Sequence, residues 1–132
     1  MYKSAIIINP DMPNGLLANT AACIASGLFL EGKDYVGESI EGSDVTYIPI
    51  TKIPILILKP SNSPLSDLYE KAKKLGLKCM VFTKEAQTTT NYEEYTERVK
   101  GKSINDVQIV GIGIVGLEEK VNSITGNLAM LR

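Results

Sequence analysis

Histidine and tryptophan are absent from this 132-residue chain, and phenylalanine occurs only twice. The missing histidine removes imidazole acid–base catalysis, histidine-activated serine or cysteine nucleophiles, and nearly all zinc sites. Any proton transfer must fall to Asp, Glu, Lys, Tyr or Cys. Net charge is also scarce, at −1. No global field draws the chain to DNA or to an anionic membrane, although a local basic patch stays possible. No apolar run approaches the ~20 residues that span a bilayer. The first residues, Met1-Tyr2-Lys3-Ser4, lack a basic region followed by a long apolar stretch, so no signal peptide is expected and a cytoplasmic location is. The two cysteines, Cys23 and Cys79, have no C-x-x-C spacing and are expected as reduced, buried thiols.

What is present is the composition of an ordinary globular domain, 44% apolar and 22% charged. The apolar run from Ser4 to Asn9 predicts an interior strand. A Pro/Gly loop, Pro10 to Gly15, breaks it. Leu16 to about Leu30 has helical length and spacing, and its alanines at 18, 21, 22 and 25 would let it lie close to a sheet. Tyr35–Ile40 and Val45–Ile50 read as a hairpin around Glu41-Gly42-Ser43-Asp44. Ile53–Lys59 is a further strand, with Pro54 at its start or on an edge.

Ser63-Pro64 predicts a helix with Ser63 as N-cap, stopped by Gly76. Leu77–Thr83 is a strand, and Thr88–Asn91 a loop. Asn91 with Glu94 has capping-box spacing for a helix that ends at Gly101. Val107–Val115 predicts a glycine-bearing strand, followed by a short helix closed by Gly126 and a last strand over Asn127–Leu131. Strands alternate with helices, and no repeat or linker intervenes. The expectation is one domain over residues 1–132: a three-layer α/β fold, with helices on both faces of a mixed sheet.

Four places invite chemistry. Gly111-Ile112-Gly113-Ile114-Val115-Gly116 spells G-x-G-x-x-G. Too little chain follows for a dinucleotide-binding βαβ unit, so the expectation is a strand whose glycines admit a close neighbour. Asp11 and Asn14 sit where a first strand opens into a helix, as caps or as ligand contacts. Asn19 interrupts an apolar helix, and either faces solvent, bonds backbone, or meets a ligand. Lys84, Thr88 and Asn91 lie beyond another strand, where threonines entering a helix serve as turn chemistry or hold an anion. Lys71, Lys73, Lys74 and Lys78 could meet RNA phosphates, but a solvated helix face is the commoner meaning.

Leu68-Tyr69-Glu70-Lys71-Ala72-Lys73-Lys74-Leu75-Gly76-Leu77 resembles the helix-to-strand segment of type II peptidyl-tRNA hydrolases. Lys120-Val121-Asn122-Ser123-Ile124-Thr125-Gly126-Asn127-Leu128 resembles the close of the same fold. Asn9-Pro10-Asp11-Met12-Pro13-Asn14-Gly15 with Asn19, and the inserted hairpin, look like an uncharacterised bacterial branch of it. The resemblance implies that fold over nearly the whole chain, and implies that homodimers are common. It does not carry the hydrolase site. Gly15 matches a family glycine, but the family's lysines fall on Leu16 and Ala18. Its Gln and His fall on Ala22 and Ala25. Cys23 matches a family cysteine. The second family motif, Asp-Ala-Gly-Arg-Thr-Gln, aligns with Lys84–Thr89. There Lys84 replaces the acid, Gln87 replaces the arginine, and only Thr88 matches.

Cleaving a peptidyl-tRNA ester needs phosphate clamps and a polarised water. An apolar loop and a reversed charge supply neither. The leading expectation is a non-hydrolase module without cofactor or metal, binding a small polar ligand or a partner. The site would lie between the Asp11–Asn19 and Thr83–Asn91 loops, drawing on Asp11, Asn14, Asn19, Lys84, Thr88 and Asn91. Two alternatives stay open: a diverged acyl-ester hydrolase using Glu85 or Asp11 as base, and a non-catalytic RNA or tRNA binder.

Overall fold

A computed structural model describes the whole chain, Met1–Arg132. The elements in chain order are β1 (Tyr2–Ile8), α1 (Asn14–Leu28), β2 (Ile40–Glu41), β3 (Thr46–Tyr47), β4 (Ile55–Lys59) and α2 (Leu65–Lys74). Then follow β5 (Lys78–Thr83), α3 (Lys84–Gln87), α4 (Tyr92–Val99), β6 (Ile109–Leu117), α5 (Glu118–Thr125) and β7 (Ala129–Met130). Five strands form one sheet in the order β5-β6-β1-β4-β7. β1 and β4 pair in parallel, while β6 runs antiparallel to both β1 and β5, and β7 antiparallel to β4. The sheet is therefore mixed, as the alternating pattern of elements predicts.

Alternation along the strands divides the core in two. Ala5 and Ile7 of β1 join Ile112 and Ile114 of β6, and pack with Leu65, Leu68 and Ala72 of α2 and with Val121 and Ile124 of α5. Ile6 and Ile8 face the other way, with Phe82 and Val110, and receive Ile24 of α1. So α1 covers one face of the sheet, and α2 with α5 covers the other. Ser4 is fully buried within this apolar strand, and its hydroxyl donates to the Pro54 carbonyl at 2.8 Å. Pro54 stands just before β4, where its missing N–H costs the ladder nothing.

The glycines of the G-x-G-x-x-G string lie inside β6, not in a loop. A Cβ at Gly111 would stand 2.9 Å from Ile24 Cδ1, and one at Gly113 would run into Ile24 Cγ2. The glycines let α1 lie directly on the strand. That close approach was expected from the alanines of α1, but Ala18 and Ala22 are exposed and only Ala21 and Ala25 turn toward the sheet. On the opposite face a Cβ at Gly116 would strike Leu77.

Several boundaries differ from expectation: β6 runs over Ile109–Leu117 rather than Val107–Val115, and the last strand is only Ala129–Met130. The N-cap of α2 is Pro64, not Ser63. Pro64 keeps an extended ψ of 157°, and no side chain caps the helix. The proline ring fixes φ near the helical value, but its carbonyl, not the Ser63 hydroxyl, takes the first helical bonds, from Asp67 and Leu68. The strand ending at Thr83 passes straight into one helical turn, α3, because the Thr83 side chain accepts from the Ala86 amide at 3.1 Å. The hairpin forms, but its ladder is short: Ile40 opposes Tyr47, Glu41 opposes Thr46, and Val36 bridges Thr51. It pairs with no strand of the main sheet. The helix stops behave as expected, with Gly76 and Gly101 at φ of 71° and 74°, backbone that other residues rarely adopt.

Candidate functional site

β1 and β4 are neighbours and run in parallel, so both end at the same edge of the sheet. The chain leaving β1 turns to α1 on one face, and the chain leaving β4 turns to α2 on the other. Such a divergence opens a crevice at the carboxyl ends of the strands. A cavity of about 570 Å3 lies there, formed by Asn9 after β1, the segment Pro60 to Ser66, and the stretch Ile104 to Ile109 that enters β6.

Its polar side chains are Asn9, Ser61, Asn62, Ser63, Ser66, Asn105 and Gln108. None of its thirteen lining residues ionises. The first amides of α2, those of Leu65 and Ser66, bond no other protein group, and both residues line the cavity. Unfilled N–H groups at a helix start favour an acceptor atom. This wall offers hydroxyls, amides and free N–H groups, but no acid, no base and no cation.

Local structure fixes these groups in place. The Asn9 amide donates to Val110 at 3.0 Å, and the Asn9 side-chain oxygen accepts from the Asp11 amide at 3.1 Å. Asn105 is displayed by a tight turn in which the Asp106 carboxylate accepts from both the amide and the hydroxyl of Ser103, at 3.2 and 3.1 Å. Those bonds hold the Asp106 carboxyl below the usual carboxylate range. Gln108 is anchored through its backbone: its carbonyl accepts from the Lys84 amide at 2.8 Å, and its amide donates to Glu85 at 3.2 Å.

The six residues expected to form the site are spread around this edge. Asp11 and Asn14 are exposed, and neither side chain caps α1, whose N-cap is Pro13. Asn19 faces solvent, with Cys23 Sγ at 3.9 Å from its oxygen. Lys84 is exposed, and its amide is used on Gln108. The Thr88 hydroxyl is already engaged, donating to the Lys84 carbonyl at 2.9 Å and accepting from Arg98 at 2.9 Å. Asn91 caps α4 by accepting from the Glu94 amide at 2.8 Å.

The two loops meet rather than gape. Gln87 Nε2 donates to the hydroxyl of buried Thr20 at 3.1 Å and lies 3.7 Å from Met12 sulfur. Beside this latch runs a second cavity of about 430 Å3, mostly apolar, between α1 and the start of α4. Cys23, Met80, Phe82, Ala86 and Tyr95 line it, and Asn91 stands at its polar rim. Of the six, Asn91 is the one that reaches either cavity.

No cluster of three or more Cys, Asp or Glu side chains is placed to hold a metal ion. The one ion pair, Arg98 with Glu94 at 2.6 Å, is an exposed pair within α4. The two cysteines are half-buried rather than fully buried, one on each face of the sheet. Burial pushes the Cys79 thiol up to about 12. No helix is long and apolar enough to cross a membrane.

The seven polar side chains of the first cavity escape a reading along the chain, because three separate segments bring them together. The one local signal is Pro60-Ser61-Asn62-Ser63-Pro64, a polar loop directly after an apolar strand.

Comparison with known proteins places the fold. A protein of unknown function from Agrobacterium tumefaciens strain C58, Atu0240, superposes with a TM-score of 0.86 over 98% of this chain and 96% of its own, at 18% identity. At that identity the likeness speaks for the fold alone. A search of curated proteins gives no match. Residues 2–132 match the family described as protein of unknown function (DUF2000), and the chain belongs to that family.

Proposed function

We propose that this protein binds a small, uncharged polar molecule in the cleft at the carboxyl ends of β1 and β4, and does not transform it. The observation that carries this reading is the lining: seven neutral polar side chains and no ionisable one. General acid–base catalysis needs a titratable group within reach of the reacting atoms. A serine nucleophile needs a neighbouring base. Ser61, Ser63 and Ser66 have no such neighbour among the lining residues. A dianionic phosphate would find one helix end and no Lys or Arg, whereas a sugar-like or amide-bearing ligand would find donors and acceptors on three sides. The mixed sheet and the Leu68–Leu77 stretch support a fold of the type II peptidyl-tRNA hydrolase kind with its reactive side chains exchanged.

A thermal-shift and calorimetric panel of uncharged sugars, nucleosides and amides, set against matched carboxylates and phosphates, tests the proposal. An uncharged ligand should raise the melting temperature, and Ser63→Leu and Asn105→Leu should abolish that shift while leaving the fold intact. Binding confined to charged compounds, or indifferent to both substitutions, would sink it. Turnover of an N-blocked aminoacyl-tRNA that disappears in Glu85→Gln or Asp11→Asn would make the protein a hydrolase instead. Binding of tRNA that weakens steeply with salt would make it an RNA binder.

A further inference from the structure

We infer that the hairpin arm, residues 36–51, docks on the body of a second copy of this chain. Every residue from Glu38 to Ile48 is exposed, the longest such run in the molecule. The run is not polar. Ile40, Tyr47, Ile48 and Ile50 are 65%, 56%, 82% and 80% exposed. Ile40 and Tyr47 are cross-strand partners on one face of the ribbon. Ile48 and Ile50 fall on the other, by strand alternation. An isolated two-stranded ribbon is marginal in water and gains its stability from something packed on it. Nothing in its own chain covers this one.

The area asks for a partner of subunit size. A folded monomer of this mass, 14.3 kDa, exposes about 6,800 Å2 by the usual scaling of surface with size. This chain exposes 8425 Å2. The excess, about 1,600 Å2 per chain, exceeds the ~800 Å2 that each partner gives to a standard interface, so the surface is large enough for a dimer contact.

Charge selects the docking mode. The arm carries Glu38, Glu41 and Asp44 and no Lys or Arg. The chain has 14 cationic and 15 acidic side chains, so the remainder carries two more cations than acids. Arm against arm would bring like charges together, and that repulsion disfavours a contact between the two hairpins. A two-fold axis lets both copies make the same contact at once. The stem already rests on the sheet end opposite the cleft, where Tyr35 packs edge-on against Tyr2 with ring centres 5.1 Å apart. Tyr2, Leu30 and Leu117 are exposed at that end and offer an apolar seat for the partner's arm.

Sedimentation of the intact chain tests this, together with Ile48→Glu and Ile50→Glu, singly and combined. The wild type should sediment as a dimer at micromolar concentration. The double variant should sediment as a folded monomer with unchanged circular dichroism, its association weakened on the order of a hundredfold. Hydrogen exchange on the unmodified chain gives a second reading, since arm amides should gain protection as concentration rises. A wild-type monomer at 100-fold higher concentration would overturn the inference, whether or not it then bound vesicles or another protein. So would a dimer that survives the double substitution. Cleft binding should be untouched by these changes, because the arm leaves from the far end of the sheet.

Discussion

On one face of the sheet, β6 presents Gly111 and Gly113, and Ile24 of α1 lies against bare backbone; on the other, Ile112 and Ile114 of the same strand project into a layer shared with α2 and α5. On the α1 face the helix sits close, with Ile24 in near contact with the backbone of Gly111 and Gly113. The α2 and α5 face is the more deeply buried, with eleven buried residues and six partly buried ones, against five and ten on the α1 face. The cavities follow the same division. The mostly apolar groove lies beside α1, where the helix stands close and α4 only flanks it. The polar cleft lies at the start of α2, in the turn that leads from β4 to that helix. One glycine pattern thus sets how near α1 comes to the sheet.

Substitutions can break this contrast. The largest effect is expected from Ile24→Ala, which leaves a void over two glycines that cannot fill it, at about 2–5 kcal/mol of stability by urea unfolding. Gly113→Ala should cost about 1–3 kcal/mol in the native background, since its methyl collides with Ile24. The same change should be close to neutral in the Ile24→Ala background, and a double-mutant cycle reads that coupling directly. Simple additivity would mean that α1 does not rest on β6 as described.

Gln87→Leu removes the latch between the Met12 and Gln87 segments and should cost about 1 kcal/mol. Thr20 keeps its bond to the Leu16 carbonyl at 2.7 Å, so its buried hydroxyl is not orphaned. The last effect is confined to high pH and falls on the α2 and α5 face. Folded Cys79 keeps its proton to about 12, whereas the unfolded thiol loses it near 9.0. Between these values the folded state binds more protons, so this group makes stability fall as the pH rises through that window. Cys79→Val should flatten that part of the urea-midpoint profile. A profile identical to wild type would show the thiol to be better solvated than its packing implies.

Much of the fold was legible because periodicity is local. The apolar run at Ser4–Asn9, the helical spacing after Gly15, and the stops at Gly76 and Gly101 follow from side-chain pattern and backbone sterics alone. The pattern puts the N-cap of α2 one residue early, because Ser63 and Pro64 both suit a helix start and only backbone geometry separates them. The turn α3 was missed because one threonine hydroxyl, on Ala86, decides it. The β6 glycines do admit a close neighbour, as their pattern predicts, but that the neighbour is α1, some ninety positions away, is visible only in the fold. Of the candidate site residues, Asn91 was found beside a cavity. Lys84 and Glu85 serve as backbone and carboxylate anchors for Gln108, a residue that gave no local signal.

By itself, the sequence settled where the main strands and longer helices lie, that imidazole chemistry is excluded, and that the G-x-G-x-x-G string is strand rather than phosphate loop. Each of these is decided within about a dozen neighbouring residues by sterics, burial or side-chain inventory. Tertiary structure alone decided that β4 lies beside β1, and so that Asn9, the Ser61–Ser66 segment and Gln108 share one wall. It also decided that the hairpin stands away from the sheet. Both outcomes depend on which distant segments pair, and pairing follows the burial of whole faces, which no short window of sequence contains.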